Sequence, residues 1–463
     1  MSEIAITRNV DNLKKELNLP MVFCIGLKQV IGGGVIALTG VAIGITGPSV
    51  PIAYFLAAFT SIMAGIPFAI LGSAMPVTGG MYTWPTRILS PMAGFLTIWI
   101  FFLSNFTLSL YALTAAGYIR VFYPELPASP LAFFILTVFY LLNLSGAKAT
   151  ARVGMILTLI MSSAILLFIF SGLPELNAAN FDNMLPNGFF ALLSATGLLM
   201  FTMIGASMVS ELGGEMRNPG RDIPITVIGA TAVATIVYVL ASIVAAGVLP
   251  ISEVANQPLT LVAERIMSRN AFLYFTIGAG IISILGVINA QMLWGSKSLL
   301  VACDDNWLPR KLASVSKRFG TPHYLLSALY IVGIFPILTG LSIKEIAIAS
   351  NITAIIAQVV VVVSCFVLYR KHPAIYNRAL FKISNRWVLT VIVVVAFALN
   401  GFLIVSLFMI EAGLMTTFIM FAWLALGVFI GQTRKKGVIP NTLRVLLNNQ
   451  SRVLDAPENE TSH

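Results

Sequence analysis

The feature of this sequence that most constrains its fold is a run of three glycines, Gly32 to Gly34, in the middle of an apolar segment over residues 20–46. An apolar segment of this length is long enough to cross a lipid bilayer as a helix. Consecutive glycines oppose a helix because glycine loses more backbone entropy on ordering than any other residue. Within a bilayer, an interrupted helix is tolerated only where protein or a water-filled cavity covers its backbone. The run therefore predicts a helix broken at mid-membrane. The alternative is that the glycines only let a neighbouring helix pack closely.

The composition is that of a polytopic membrane protein. Hydrophobic residues make up 58% of the chain and charged residues 10%, whereas soluble domains contain about 25% charged residues. We predict an all-α protein with twelve transmembrane helices. The net charge of +10 then follows from membrane topology, and we expect no nucleic-acid partner. The predicted spans cover residues 20–46, 51–74, 92–119, 129–145, 153–172, 187–213, 223–248, 271–302, 324–341, 346–369, 387–410 and 413–431.

The distribution of basic residues predicts the orientation in the cell membrane. If both termini are cytoplasmic, 22 of the 28 lysines and arginines fall in cytoplasmic segments, four fall in external loops, and Lys28 and Lys297 lie within spans. Cytoplasmic loops normally carry this excess. We therefore predict a cytoplasmic segment over residues 1–19, a transmembrane domain over 20–431 and a cytoplasmic tail over 432–463.

The sixth span has an interruption like that of the first. Its centre, from Phe201 to Ser207, contains Gly205 and other small residues between two apolar stretches. The two interrupted spans are five apart, and an odd number of spans reverses orientation, so residues 20–172 and 187–369 are predicted to be inverted repeats. The helices over 387–431 stand outside both repeats. Alternatively, Gly205 is an ordinary packing glycine.

Several local patterns along the chain are distinctive: Ile31–Ile36 (IGGGVI), Gly47-Pro48, Pro76–Tyr82 (PVTGGMY), Glu215–Pro224 (EMRNPGRDIP) and the loop from Asp304 to Pro322. Together they resemble those of the amino acid–polyamine–organocation transporters. The resemblance implies the five-plus-five inverted-repeat (LeuT-like) fold with helices 1 and 6 broken at the midplane. It also implies a secondary transporter or exchanger that moves an amino acid by alternating access, and not an enzyme.

The two breaks are suited to hold a zwitterion. The amides of Gly32, Gly33 and Gly34 lie at the positive end of a half-helix, where they can bind a carboxylate. The freed carbonyls of Val30, Phe201 and Ile204 can accept hydrogen bonds from an ammonium. The resemblance also implies that the Phe201 ring covers bound substrate; the alternative is an ordinary core or lipid-facing phenylalanine.

Polar side chains within spans should face the helix bundle, because lipid cannot satisfy them. Few of these are charged, which favours a substrate with a neutral, small or apolar side chain. We expect neither a cofactor nor a metal site. The further substrate-binding candidates are Gln29, Ser104, Asn105, Ser109, Gly205, Ser207, Asn289 and Gln291.

Two ionisable residues within spans are candidates for coupling or gating. Lys28 lies one helical turn before Gly32 and on the same face, and such residues within membranes are usually functional. Burial disfavours the charged form of a lysine, so Lys28 is a candidate for proton coupling; the alternative is a lysine that snorkels to the cytoplasmic surface. Glu211 lies near the end of span 6, where pairing with a cation would form an inner gate.

Other functional classes remain open to different degrees. A membrane enzyme needs catalytic His, Asp or Glu at mid-membrane, but the three histidines, His323, His372 and His463, lie in loops or in the tail. A channel needs a continuous polar stripe, which the spans lack. A transporter of a related amine or polyamine and a transporter-derived nutrient sensor stay open as alternatives.

Overall fold

The computed structural model describes residues 9–32, 34–203, 205–339, 343–406, 414–435 and 438. These residues form helices and connecting segments, and no β-strand occurs among them. The α-helices, in chain order, are α1 (Leu19–Val30), α2 (Gly34–Thr46), α3 (Val50–Ala74), α4 (Gly80–Ile88), α5 (Pro91–Leu103), α6 (Thr107–Phe122), α7 (Ala128–Leu144), α8 (Ala147–Gly172), α9 (Gly188–Met203), α10 (Pro219–Gly247), α11 (Ile251–Val254), α12 (Thr260–Ile266), α13 (Arg269–Phe275), α14 (Ser283–Trp294), α15 (Lys297–Asp304), α16 (His323–Thr339), α17 (Ile343–Lys371), α18 (Pro373–Asn377), α19 (Arg386–Ser406) and α20 (Leu414–Arg434).

Many of these helices have the length and composition of membrane spans. Among the described residues, seven apolar helical segments are long enough to cross a membrane: Leu19–Ile36, Leu38–Ala74, Pro91–Phe122, Ala147–Glu175, Pro219–Gly247, Arg269–Asp304 and Ile346–Lys371. Shorter apolar helices are Ala128–Leu144, Gly188–Met200, His323–Thr339 and Arg386–Phe402. The prediction of an all-α, multi-pass membrane protein is confirmed.

The first predicted span is interrupted at its glycine run. Asn18 caps α1 by accepting a hydrogen bond from the Met21 amide at 3.2 Å, which satisfies one free N–H group at the helix start. The helix ends at Val30, Ile31 and Gly32 are not helical, and α2 begins at Gly34. The chain thus supplies one helix end and one helix start close together in space.

The sixth predicted span is interrupted as well. Helix α9 ends at Met203, and a 3₁₀-helix over Ala206–Glu211 follows in place of a further α-helix. Gly205 has a φ of +147°, which side chains of L-residues rarely allow. A Cβ atom on Gly205 would overlap the carbonyl oxygen of Gln29. The two interruptions are therefore in direct contact, and Gly205 permits that contact.

Small residues let the neighbouring helices approach the interruptions closely. Gly26 on α1 faces Thr226 on α10, and Gly72 on α3 faces Ile223 on α10. Close approach through small residues is the usual way in which membrane helices pack. Helices α1, α3 and α10 therefore form a compact support on one side of the interruptions.

Candidate functional site

A cavity of about 170 Å³ lies beside the two interruptions. Residues of five predicted spans (1, 3, 6, 8 and 10) contribute to its wall, and none of the described lining residues is charged. The lining residues are Gln29, Val30, Gly32, Gly34, Phe101, Ser104, Thr107, Tyr111, Thr202, Gly205, Met208, Val287, Gln291, Trp294, Ser350, Asn351, Ala354, Ile355 and Gln358. Of the candidates from the sequence, the structure brings together Gln29, Val30, Gly32, Gly34, Ser104, Gly205 and Gln291 at this cavity.

Hydrogen bonds between helices fix one wall of the cavity. With its side-chain oxygen turned toward α14, Gln29 accepts from Trp294 Nε1 at 2.5 Å and from the Gln291 amide at 3.2 Å. Gln291 Nε2 in turn donates to Thr107 Oγ1 at 2.7 Å and lies 3.3 Å from Asn105 Oδ1. Gln29 and Gln291 therefore hold α1, α6 and α14 in a fixed arrangement around the cavity.

The backbone of the first interruption corrects two predicted roles. The Val30 carbonyl accepts from the Gly32 amide at 3.0 Å and from the Tyr238 hydroxyl at 2.9 Å. A carbonyl oxygen has two lone pairs, so the Val30 carbonyl is not free for a substrate ammonium. The Gly32 amide is likewise not free for a carboxylate. Gly34 is the first residue of α2, where amides lack partners within the helix, and its predicted role stays a prediction.

Three of the other candidates lie away from the cavity wall. Asn105 lies behind the wall and donates to the Phe102 carbonyl at 3.1 Å. Asn289 donates to the Thr150 carbonyl at 3.0 Å and thus faces α8. Ser207 lines a small neighbouring cavity of about 20 Å³, which shares Gly205 and Gln358 with the main cavity. For these three residues, the prediction that a polar group within a span faces the bundle holds, but contact with the main cavity does not.

Ser109 and three candidates outside the described residues complete the set. Ser109 donates to the Phe106 carbonyl at 2.6 Å and does not line the cavity. Gly33, Ile204 and the side chain of Phe201 lie outside the described residues. The proposed roles of these three residues stay predictions.

One wall of the cavity was not predicted from the sequence. Ser350, Asn351 and Gln358 on α17 line it together with Ala354 and Ile355; we call these five residues the α17 face. A signal was present in the sequence, because polar side chains within an apolar span should face the bundle and these three polar residues fall within predicted span 10. Thr107, Tyr111, Thr202 and Trp294 are further lining residues that were not predicted.

Lys28 is buried next to the first interruption and has no acidic partner among the described residues. Its side chain packs against α8 and α14, and only 1% of the residue is exposed. Nζ donates to the Leu157 carbonyl at 3.3 Å and lies 3.1 Å from the Met161 sulfur. A Cβ atom on Gly286 would overlap the Lys28 chain. Because the amine ends inside the protein, the snorkelling alternative is wrong.

Glu211 does not have the cationic partner that the sequence analysis predicted. Its carboxylate accepts from the Met81 amide at 2.7 Å and from the Ser298 hydroxyl at 2.5 Å. The nearby cation, Lys297, pairs instead with Glu215 at 2.8 Å. Neutral donors can satisfy a buried carboxylate through charge-assisted hydrogen bonds, which is why Glu211 needs no cation here.

Glu211, Glu215, Lys297 and Ser298 form a buried cluster that we call the basal cluster. It joins the segment after α9 to α15 and to the start of α4. Burial raises the pKa of the Glu215 carboxyl, while the Lys297 ammonium beside it opposes that rise. The cluster therefore joins three separate segments of the chain through buried polar contacts.

The comparisons with known proteins find permeases and other transporters. A family model for amino acid permeases matches residues 17–430. The chain is 28% identical over 400 residues to the branched-chain amino acid permease BcaP of Bacillus subtilis, covering 80% of this chain and 84% of that protein. It is 26% identical over 391 residues to the methylthioribose transporter of the same organism, covering 78% and 82%. It is 29% identical over 258 residues to the aspartate-proton symporter of that organism, covering 52% and 49%. The chain therefore belongs to the amino acid permease family of the amino acid–polyamine–organocation superfamily, and it is a secondary amino acid transporter rather than an enzyme.

Proposed function

We propose that this permease binds a neutral amino acid in the cavity between the two interruptions. The observation that carries the proposal is the start of α2, a helix of 13 residues, which opens onto the cavity at Gly34. A helix N-terminus attracts anions through its free amides and its dipole, so it suits an α-carboxylate. No charged side chain among the described lining residues would balance a charge on the substrate side chain.

The ammonium of the substrate is proposed to lie at the end of α9, on the other side of the cavity. Thr202 and Gly205 line the cavity there, and the last carbonyls of a helix lack partners within the helix and lie at its negative end. The carbonyls of Phe201 and Ile204 remain the proposed acceptors. In this arrangement, backbone groups alone bind both charges of a zwitterion.

We also propose the finer architecture of the membrane domain. The two interrupted helices, the apolar helices and the family support twelve spans with inverted repeats over residues 20–172 and 187–369. The excess of basic residues supports cytoplasmic N- and C-termini. In this orientation the basal cluster, with Glu211 at its centre, is the inner gate of an alternating-access cycle.

Two of the relatives support a neutral substrate without identifying it. Two of the proteins that cover most of this chain are named for branched-chain amino acids and for methylthioribose, and neither substrate has a charged side chain. The aspartate-proton symporter matches about half of the chain. Proton coupling is therefore compatible with this family.

A ligand screen followed by flux tests the proposed function. The purified protein is heated with each of the standard amino acids, and we expect neutral ones to raise its melting temperature, because a ligand that binds only the folded state stabilises it. The ligand with the largest shift is then used in radiolabelled form in proteoliposomes, where we expect uptake. Binding without any uptake or exchange would point to a sensor, and shifts with only cationic or acidic amino acids would contradict the proposal.

We propose that Lys28 couples transport to protons. The groups that face its amine are the Leu157 carbonyl and the Met161 sulfur on α8, with Cys24 one turn away on α1. The described ion pairs, Arg87–Asp305, Arg221–Asp222 and Lys297–Glu215, do not include it. An ionisable group that is buried within a span is a candidate for a functional role. The charged amine would brace the first interruption, and the neutral amine would release it.

The prediction for Lys28 concerns flux driven by a pH gradient. We expect uptake by the wild type to rise with an inward proton gradient and not to require sodium, and we expect Lys28→Met to lose this dependence while it still binds substrate. Lys148→Met, which removes a lysine from the start of α8, serves as the matched control and should respond to pH like the wild type. An unchanged pH response in Lys28→Met, or a sodium requirement in the wild type, would refute the coupling role.

A further inference from the structure

The hydrogen-bonding groups around the cavity fall into two sets. In the first set the polar groups already have protein partners: Ser104 donates to the Phe101 carbonyl at 2.6 Å, and Thr202 donates to the Leu199 carbonyl at 2.7 Å. Gln29 and Gln291 belong to this set through their bonds with Trp294 and Thr107. These groups shape the wall, and most of their capacity for hydrogen bonds is used within the protein.

The second set lies mainly on the α17 face. The side chains of Ser350, Asn351 and Gln358 form no hydrogen bond with any described residue, and the buried Ser350 hydroxyl is among the unsatisfied polar atoms. Gln358 is only 6% exposed and Ser350 is fully buried, although both line the cavity. The Tyr111 hydroxyl on α6, also at the cavity, is the further lining group without a partner in the described part of the chain.

The spacing of these groups matches a small ligand. Asn351 and Gln358 are seven residues apart, which places them on the same side of α17, about 10 Å from each other along the helix axis at 1.5 Å per residue. Buried polar groups are almost always hydrogen-bonded in folded proteins, and leaving them unpaired costs stability. Carboxamides offer both donors and acceptors. Neutral ligand groups that both donate and accept can therefore pair with Asn351 and Gln358.

We propose that the α17 face selects amino acids whose side chains form neutral hydrogen bonds, with carboxamides such as those of asparagine and glutamine as the preferred class. The inference rests on the proposed binding of an amino acid in this cavity and narrows its substrate class. It departs from the expectation of an apolar substrate side chain, because an aliphatic side chain would cover Asn351 and Gln358 without pairing them. A site that binds polar groups rejects analogues without them for this reason.

The test uses two pairs of ligands of nearly equal size: asparagine with leucine, and glutamine with methionine. Equilibrium binding to the purified full-length protein is measured for all four. We expect each carboxamide to bind at least about tenfold more tightly than its apolar counterpart, as one or two satisfied hydrogen bonds would give. Equal or tighter binding of leucine and methionine would overturn the inference and leave the cavity proposal intact, whereas no binding of any amino acid would refute both.

Two variants test whether the α17 face causes the preference for carboxamides. Gln358→Met and Asn351→Leu should each reduce the preference for carboxamides to within about threefold, since each removes one paired group, without weakening the binding of the apolar ligands. Asn400→Leu is the matched control: Asn400 is a buried amide that already donates to the Ala396 carbonyl at 2.7 Å and does not line the cavity. A preference that survives in both cavity variants, with gel-filtration profiles like that of the wild type, would overturn the assignment.

Discussion

Gly205→Ala is expected to weaken amino acid binding by about 100-fold or more, because strained backbone positions cost about 1–3 kcal/mol and a steric overlap adds to this cost. The φ of +147° at Gly205 is open to glycine and strained for alanine. The new Cβ atom would also overlap the Gln29 carbonyl oxygen, so the two interruptions would have to move apart. The dissociation constant of the best ligand from the thermal screen measures this effect.

Gly197→Ala provides the matched control for that prediction. Gly197 lies on the same helix, α9, and a Cβ atom there would have no neighbour within 4 Å. We expect its affinity to equal that of the wild type, with a small gain in stability, because alanine is the better helix former. If Gly205→Ala binds as tightly as Gly197→Ala, contact between the interruptions is not needed for binding.

Of the substitutions proposed here, those that break the buried Lys297–Glu215 pair are expected to lower the free energy of unfolding the most. The two side chains are 3% and 2% exposed, and Lys297 Nζ lies 2.8 Å from Glu215 Oε1. Removing one partner leaves the other charge buried without compensation, at a cost of about 3–5 kcal/mol. We expect Glu215→Gln and Lys297→Met each to lower the apparent melting temperature markedly in detergent, as followed by tryptophan fluorescence.

The double variant separates pairing from simple loss of packing. Combining Glu215→Gln with Lys297→Met removes both charges, so its melting temperature should recover toward that of the wild type. Lys382→Met is the surface control: Lys382 is exposed, and replacing it should change stability little. Losses in the double variant that equal the sum of the two single losses would show that the pair contributes no coupling.

The sequence predicted the interruptions because their cause is local. The glycine run and Gly205 disfavour a regular helix through their own backbone properties, and no distant partner is needed to foresee this. The same applies to the apolar spans, because their length and composition are visible in the sequence itself. Fold class and family were therefore accessible from the sequence.

The hydrogen-bond partners of the site residues could not be predicted in this way, because they come from distant parts of the chain. The Val30 carbonyl is taken by Tyr238, 208 residues later, and the Glu211 carboxylate is satisfied by Met81 and Ser298 from two other segments. Local pattern carries no information about such contacts. The α17 face differs, since the polar residues of span 10 were visible in the sequence and only their position at the cavity required the structure.

We propose that the helix ends at the cavity bind the carboxylate and the ammonium of an amino acid. The most direct measurement compares the dissociation constant of the best amino acid ligand with those of two analogues, the amine without its carboxylate and the acid without its ammonium. We expect each analogue to bind about 100-fold more weakly or worse, because it leaves buried donors or acceptors unpaired. An analogue that lacks either group and still binds within about threefold of the amino acid, less than 1 kcal/mol, would contradict the account.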